Sequence, residues 1–185
     1  MKDNLKLWDA VCTTDPAHTK KANVKGNKLT SIKPQYQILQ ATKQWGAYGS
    51  TWGFHDIVLS YELKDLGLVN FKANFYYPNG EFEAISLWRD GAQTKIDDEF
   101  AKKVETDTLT KCLSKLGFSA DVFMGQFDDP RYIESVRQSI SNKLKPVLSD
   151  DRFNTALKQL EAGVTKKETI TNNFKLTQEQ INKLK

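Results

Sequence analysis

The recurrence of apolar side chains at every second position within residues 68–77 constrains the fold of this chain more than any other sequence feature. The apolar members are Val69, Phe71, Ala73, Phe75 and Tyr77. Successive side chains of a β-strand point to opposite faces, so a period of two places all five on one face. We predict that this face belongs to the core. The opposite face is predicted to be mixed and partly basic.

The turn after this strand predicts its partner strand. Pro78-Asn79-Gly80 contains the Asn-Gly pair that favours the type I′ turn of tight hairpins. A two-residue loop sets the register and places the aromatic side chains of both strands on one face. The predicted pairs are Tyr77 with Phe82, Phe75 with Ala84, and Phe71 with Trp88. Residues 56–63 alternate in the same way, so the sequence predicts a three-stranded meander.

A long helix is predicted to follow the meander. Residues 97–116 carry a broad apolar arc that suits a helix lying across a sheet. Asp97 can cap its start and Gly117 suits the position just beyond its end. The predicted fold class is α+β, with an antiparallel β-β-β-α core in which the meander packs on this helix. Extra helices and a small helical C-terminal tail complete it.

Pro146 marks a change in the character of the sequence. Beyond it lie three short helix candidates, of which two begin with the capping-box pairs Thr165–Glu168 and Thr177–Gln180. We therefore predict a core domain over residues 1–147 and a three-helix C-terminal module over residues 148–185. A module of this size is too small to be very stable alone.

Charge and composition point to a soluble protein of the cytoplasm. The net charge is +4, and the basic excess lies in residues 1–50 and 101–185, on either side of an acidic middle segment. No stretch is apolar enough to span a membrane, and the N-terminus lacks the apolar segment of a secretory signal. The two cysteines, Cys12 and Cys112, cannot supply a disulfide framework.

Residues 13–33 are polar, rich in lysine and interrupted by Pro16 and Gly26, which predicts a long loop. A segment rich in glycine and aromatic residues follows at residues 45–55. Single-stranded nucleic acid is bound without sequence preference by lysines that contact phosphates and aromatic faces that stack on bases. The candidates here are Lys20, Lys21, Lys25, Lys33, Trp45, Tyr48 and Trp52. The alternatives are a solvated loop and ordinary core aromatics.

Motifs of the common enzyme classes are missing from the sequence. It contains neither a P-loop nor a GxGxxG fingerprint, and two histidines are too few for a His-based zinc site or a Ser-His-Asp triad. Carboxylates at residues 97–99, or Asp128, Asp129 and Glu134, could hold magnesium, although helix starts favour acidic residues without any catalysis. We expect that the protein is not an enzyme and that it requires no cofactor, although it could bind magnesium. A magnesium-dependent nuclease and a non-catalytic adaptor stay as alternatives.

A helix motif and three further blocks of sequence resemble one family. Residues 106–117, TDTLTKCLSKLG, resemble the T-D-x-L helix motif of the single-strand annealing superfamily. This superfamily includes phage Erf-type and Sak-type proteins and the eukaryotic mediator of recombination that anneals single strands. Three further segments are similar to phage and prophage members of this superfamily and occur in the order expected for them: LWDAVCTTDPAHTKK, IKPQYQILQATKQWGAYGSTWGF and LGFSADVFMGQFDDPRYI. The resemblance covers residues 5–135.

The resemblance implies a protein of phage or prophage recombination that anneals strands without ATP. It implies assembly into rings or filaments that hold single-stranded DNA in a basic groove with its bases exposed. Lys102 and Lys111 match basic positions of the family, whereas Thr110 stands where lysine is frequent and Cys112 where alanine is common. Helix spacing adds Lys115. The complete predicted DNA-binding set is Lys20, Lys21, Lys25, Lys33, Trp45, Tyr48, Trp52, Lys72, Arg89, Lys102, Lys103, Lys111 and Lys115.

We expect these lysines to converge into one continuous track across the sheet. The expected partners are single-stranded DNA, the annealed duplex intermediate and further copies of the same chain. The family resemblance implies one further partner, a phage exonuclease or the host single-strand-binding protein, which residues 148–185 would bind.

Overall fold

The computed structural model describes residues 5–24, 26–89 and 99–184, and the predicted α+β class is confirmed. The elements in chain order are α1 (Lys6–Val11), β1 (Thr19–Val24), β2 (Asn27–Ile32), α2 (Pro34–Trp45), β3 (Gly53–Ser60), β4 (Leu68–Tyr77), β5 (Gly80–Arg89), α3 (Phe100–Lys115), α4 (Ala120–Phe123), α5 (Pro130–Leu144), α6 (Asp150–Glu161), α7 (Lys167–Asn173) and α8 (Gln178–Lys183). Short 3-10 turns lie at Pro16–His18, Lys64–Leu66 and Gln126–Asp128. No helix in these three described ranges is long and apolar enough to cross a bilayer.

The chain forms two compact units, Met1–Pro130 and Arg131–Lys185. This division lies at the start of α5, whereas the predicted domain boundary follows residue 147. Nearly all of α5 therefore groups with the C-terminal helices.

Strands β3, β4 and β5 form the predicted antiparallel meander, but the register of β4 and β5 differs from the prediction by two residues. Phe75 pairs with Phe82, and Tyr77 pairs with Gly80. The loop is Pro78-Asn79, and neither Asn79 nor Gly80 has the positive φ that a type I′ turn requires. Proline has no N–H to donate in the closing pair of the ladder, so it is displaced into the turn. A shift by two residues leaves every side chain on its predicted face.

Helix α3 covers the apolar face of the sheet, as predicted. The buried Leu109, Cys112 and Leu113 share one core cluster with Phe75 and Ala84 of the strands. The helix begins at Phe100 rather than at residue 97, and Asp97 lies outside the described residues.

Gly117 ends α3 in the predicted way. Its φ is +98°, its N–H donates to the Ser114 carbonyl at 3.0 Å, and the Phe118 N–H donates to the Leu113 carbonyl at 3.1 Å. These two bonds define a Schellman motif. A Cβ at Gly117 would lie 2.8 Å from Cε3 of Trp8, so the position also requires glycine for packing.

The predicted loop over residues 13–33 is wrong for most of its length, because β1 and β2 form an antiparallel hairpin and a second sheet. Lys21 pairs with Thr30, and Gly26 supplies the turn with a φ of +86°. The strands are polar because the hairpin is largely exposed. Their sequence consequently lacks the alternation that marks a half-buried strand.

The three predicted C-terminal helices are present as α6, α7 and α8. Their core contains Leu148, Phe153, Ile170 and Leu184. The Thr177–Gln180 capping box is confirmed by reciprocal hydrogen bonds of 3.2 and 3.0 Å. The Thr165–Glu168 box is not formed, because α7 begins one residue later, with Lys166 at its N-cap.

Candidate nucleic-acid interface

A groove of about 660 Å³ lies between the β1–β2 hairpin and α3. One wall consists of residues 29–32 of β2 and Pro34 at the start of α2. The lining on α3 and α4 is Lys102, Lys103, Thr106, Asp107, Thr110, Val122 and Phe123. We call this cavity the hairpin–α3 groove. It joins β2 and α3, which are far apart in the sequence, and Lys102 and Lys103 of the predicted DNA-binding set line it.

Hydrogen bonds within the first unit connect the segment before the hairpin to α4 and to the residue before it. The Asp121 carboxylate accepts from the Thr14 backbone N–H at 2.7 Å and from the Thr14 hydroxyl at 2.6 Å, and both residues are buried. The Ser119 N–H donates to the Val11 carbonyl at 3.1 Å. The chain that enters the hairpin is therefore fixed to α4, which itself lines the groove.

Lys102 and Lys103 line the α3 wall of the groove. Lys21 is not in the lining, but its Nζ donates at 2.9 Å to the hydroxyl of Thr30, which is part of the hairpin wall. On the opposite wall, Nζ of Lys102 lies 3.3 Å from Oε1 of Glu99, and Lys103 lies beside it. An exposed ion pair such as Lys102–Glu99 contributes about 1 kcal/mol or less, so a phosphate can replace the carboxylate at little cost.

Lys111 lies at the margin of this charged surface. Its Nζ is 2.7 Å from Oδ2 of Asp107, one turn earlier on α3. Because Asp107 lines the groove, the wall formed by α3 is not uniformly basic.

Several predicted lysines lie elsewhere, so the expectation of one continuous track is wrong. Lys33 directs its Nζ to the Ala17 carbonyl at 3.0 Å. Lys115 lies over the ring of Phe82, 5.5 Å from its centroid. Lys20 is exposed on β1 opposite Ser31. Lys25 lies outside the described residues.

Lys72 lies on the opposite side of the sheet from α3. It alternates along β4 with Phe71 and Ala73, which pack against Val104 of α3, and it forms an ion pair with Glu83. It therefore cannot share a surface with the lysines of the groove. Arg89 ends β5, and its side chain lies outside the described residues.

The predicted aromatic stacking residues do not face the groove. Trp52 is 0% exposed and its Nε1–H donates to the Gly46 carbonyl at 2.9 Å, so the proposal that it stacks on a base is wrong. Trp45 is half-buried, with its ring centroid 5.0 Å from that of Phe118. Tyr48 is 42% exposed, and burial is the main cause that raises its pKa.

The separation of these aromatics from the groove follows from the length of α2. Pro34 at its first turn lines the groove, whereas Trp45 is its last residue. Twelve helical residues span about 17 Å. The lysines and the predicted aromatics thus lie at opposite ends of one helix.

Phe123 is the aromatic residue that does line the groove, and the sequence analysis missed it. Its side chain is 51% exposed, and Leu29 on the hairpin wall is 40% exposed. The available signal was the pair of large apolar residues Phe123-Met124 directly before Gly125, at the end of a helix of only four residues. Adjacent side chains of a helix point in different directions, so the two cannot both be buried on one face.

A magnesium-dependent nuclease would need carboxylates arranged around a metal ion. Within residues 5–24, 26–89 and 99–184, no group of three or more histidine, cysteine or acidic side chains is arranged to hold a metal ion. Burial raises the pKa of the Cys112 thiol to about 11, so it is protonated at neutral pH. Asp97 and Asp98 lie outside the described residues.

Comparison of the chain with protein families and with curated proteins finds no match.

Proposed function

We propose that this protein binds single-stranded DNA and anneals complementary strands without ATP, in homologous recombination of a phage or prophage within the bacterial cytoplasm. The observation that carries the proposal is the hairpin–α3 groove. Lys102 and Lys103 supply ammonium groups for phosphates on its α3 wall, and Phe123 supplies an exposed aromatic face. Lys21 adds a third ammonium group beside Thr30 of the hairpin wall. The motif that resembles the annealing superfamily lies on α3, the helix that forms one of its walls.

The proposed mechanism needs neither a nucleotide nor a catalytic residue. Lysine is a compact, hydrated charge that attracts phosphate without reading bases. A strand held by its phosphates can pair with its complement, and each base-pair step that forms supplies about 1.4 kcal/mol. Copies of the chain arranged in a ring or filament add their phosphate contacts along one strand, so a modest charge per copy is sufficient. Residues 148–185 serve in this proposal as a docking module for an exonuclease or a single-strand-binding protein.

The test measures binding and annealing by the purified full-length chain. Fluorescence anisotropy follows a labelled oligo-dT strand at low and moderate salt, and a second assay follows the pairing of complementary strands with EDTA and without nucleotide. The variant is Lys102→Gln/Lys103→Gln, and the matched control is Lys43→Gln/Lys72→Gln, which removes the same charge outside the groove. Loss of two phosphate contacts should lower the salt slope by about 1.4 and weaken binding to every sequence alike.

Three results would contradict the proposal. Equal loss of binding in both double variants would mean that net charge acts rather than the groove. Cleavage of labelled DNA with magnesium would identify a nuclease. The absence of DNA binding at low salt would favour the alternative that the protein is a non-catalytic adaptor.

A further inference from the structure

The second unit carries a polar groove of about 460 Å³ along α5. Its lining is Ser135, Gln138, Ser139, Asn142, Lys143 and Lys175. The first four follow the i, i+3, i+4, i+7 spacing that places side chains on one face of a helix. This stripe is about 10 Å long. We call the cavity the α5–Lys175 groove.

Backbone pairing brings Lys175 to the end of α5. The Lys175 N–H donates to the Pro146 carbonyl at 2.9 Å, and its carbonyl accepts from the Leu148 N–H at 3.2 Å. Lys143 lies in the last turn of α5. Two ammonium groups therefore belong to one groove although 32 positions separate them in the sequence.

Four of the six lining side chains offer free donors. Across the described ranges of the chain, the side chains of Ser139, Asn142, Lys143 and Lys175 have no hydrogen-bond or ion-pair partner. The other two are already bonded: the Ser135 hydroxyl donates to the Tyr132 carbonyl at 2.7 Å, and Nε2 of Gln138 donates at 3.2 Å to Glu134, whose carboxylate is not in the lining. Hydroxyl, amide and ammonium donors without a carboxylate suit the oxygens of a phosphate.

Because of the dipole of α5, an anion can bind at this end of the helix only if Lys143 and Lys175 supply positive charge. The C-terminal end of α5 carries a partial negative charge, which repels an anion. Lys143 and Lys175 reverse the sign of the local potential, and their loss would leave an end that disfavours phosphate.

We propose that the α5–Lys175 groove binds the phosphates of a single DNA strand. At a rise of roughly 3.4 Å per nucleotide, the donor stripe is about three nucleotides long, which exceeds one free phosphate. This goes beyond the proposed function, because it gives each compact unit its own nucleic-acid site. The two sites share no residue and can fail separately.

The test is a lysine-acetylation footprint on the wild-type, full-length chain, read by mass spectrometry. With oligo-dT at about ten times its Kd, acetylation of Lys143 and Lys175 should slow roughly tenfold, because only about a tenth of the sites stay free. Lys158 and Lys183 are exposed lysines of the same unit outside the groove and serve as internal controls. Their rates should not change.

Unchanged rates at Lys143 and Lys175 would overturn the inference, whereas the rates at Lys102 and Lys103 report separately on the hairpin–α3 groove. Equal protection by polyglutamate of the same total charge would overturn the assignment to phosphate. Equal protection by inorganic phosphate at matched phosphate concentration would overturn the assignment to a strand.

A pair of charge variants supplies the second measurement. Lys143→Gln/Lys175→Gln should lower the salt slope of oligo-dT binding by about 1.4, the value for two lost contacts to a single strand. Lys158→Gln/Lys183→Gln removes the same charge and should leave the slope unchanged. Equal slopes for the two double variants would contradict the inference.

Discussion

His55 bridges two carboxylates on the outer face of the sheet. Its Nδ1 lies 2.8 Å from Oδ2 of Asp56, and its Nε2 lies 3.2 Å from Oε2 of Glu81. A ring with both nitrogens bonded to carboxylates is a donor at both, which is the protonated form. The hydrogen bond to Asp56 first, and that to Glu81 second, raise the pKa of His55 above its ordinary value of 6.5.

We predict that this bridge makes the stability of the protein depend on pH. The folded pKa of His55 lies above the unfolded one, so its contribution is lost as the pH rises through the folded pKa. The bond to His55 lowers the pKa of Asp56 from 3.8, so the contribution is also lost as the pH falls through the folded pKa of Asp56. Urea unfolding of the wild type and His55→Gln at a series of pH values measures the difference. The wild type should be the more stable protein between pH 3.8 and pH 6.5, and the difference should vanish at alkaline pH. A difference that grows towards alkaline pH would refute the prediction.

Trp52 shows where local sequence stops predicting the site. The glycines around it suggest a backbone that a ligand can approach closely. In the structure they turn the chain so that Trp52 is buried, and Gly53 has a φ of +151°. A Cβ at Gly53 would lie 3.3 Å from the hydroxyl of Tyr76, so the close approach comes from the protein itself. Glycine spacing alone cannot tell these cases apart.

Elements whose apolar residues recur with a clear period were predicted from the sequence, whereas the polar strands β1 and β2 were not. Strand β4, helix α3 and the three C-terminal helices each bury one apolar face, and that face is visible in the sequence. Strand β1 carries Lys20 and Lys21 at adjacent positions and buries little, so its pairing with β2 leaves no apolar pattern. The hairpin wall of the groove was therefore the part that sequence reasoning missed.

Helix α4 supplies the prediction that separates this groove from the glycine-rich segment. If Phe123 stacks on a base, Phe123→Ala should weaken oligo-dT binding by about 1–3 kcal/mol, and its effect on stability should be small because the side chain is half exposed. Tyr48→Ala is the matched control, because Tyr48 is an exposed aromatic residue three positions beyond the C-terminal end of α2. Anisotropy gives the affinities and urea unfolding the stabilities. If Tyr48→Ala weakens binding and Phe123→Ala does not, the base-stacking site lies in the glycine-rich segment instead.

Each compact unit has its own hydrophobic core, and this organisation limits what a sequence can reveal about a site. The first unit is built around residues such as Phe75 and Leu113, and the second around Phe153 and Ile170. Core membership follows from periodicity within single elements. The hairpin–α3 groove instead depends on the packing of α4 against both β2 and α3, which no local pattern encodes. The lysines could be named from the sequence, but their grouping could not.

We predict that the two cores can be destabilised one at a time. Phe153 is 1% exposed, and Phe→Ala in a core costs about 3–5 kcal/mol. The hydrophobic core of a unit this small contributes about 3–5 kcal/mol to its stability. Phe153→Ala should therefore unfold that unit. Hydrogen exchange should show lost amide protection in α6–α8, with β4 and α3 still protected.

Phe153→Leu, which keeps most of the buried volume, is the control and should retain protection in both units. The same pair of variants bears on the two grooves, because Lys175 is held in place by backbone bonds of the second unit. In Phe153→Ala, oligo-dT should still protect Lys102 and Lys103 from acetylation, while protection of Lys143 and Lys175 is lost. Simultaneous loss of amide protection in β4 and α6 would mean that the units unfold together, and the independence of the two sites would then be refuted.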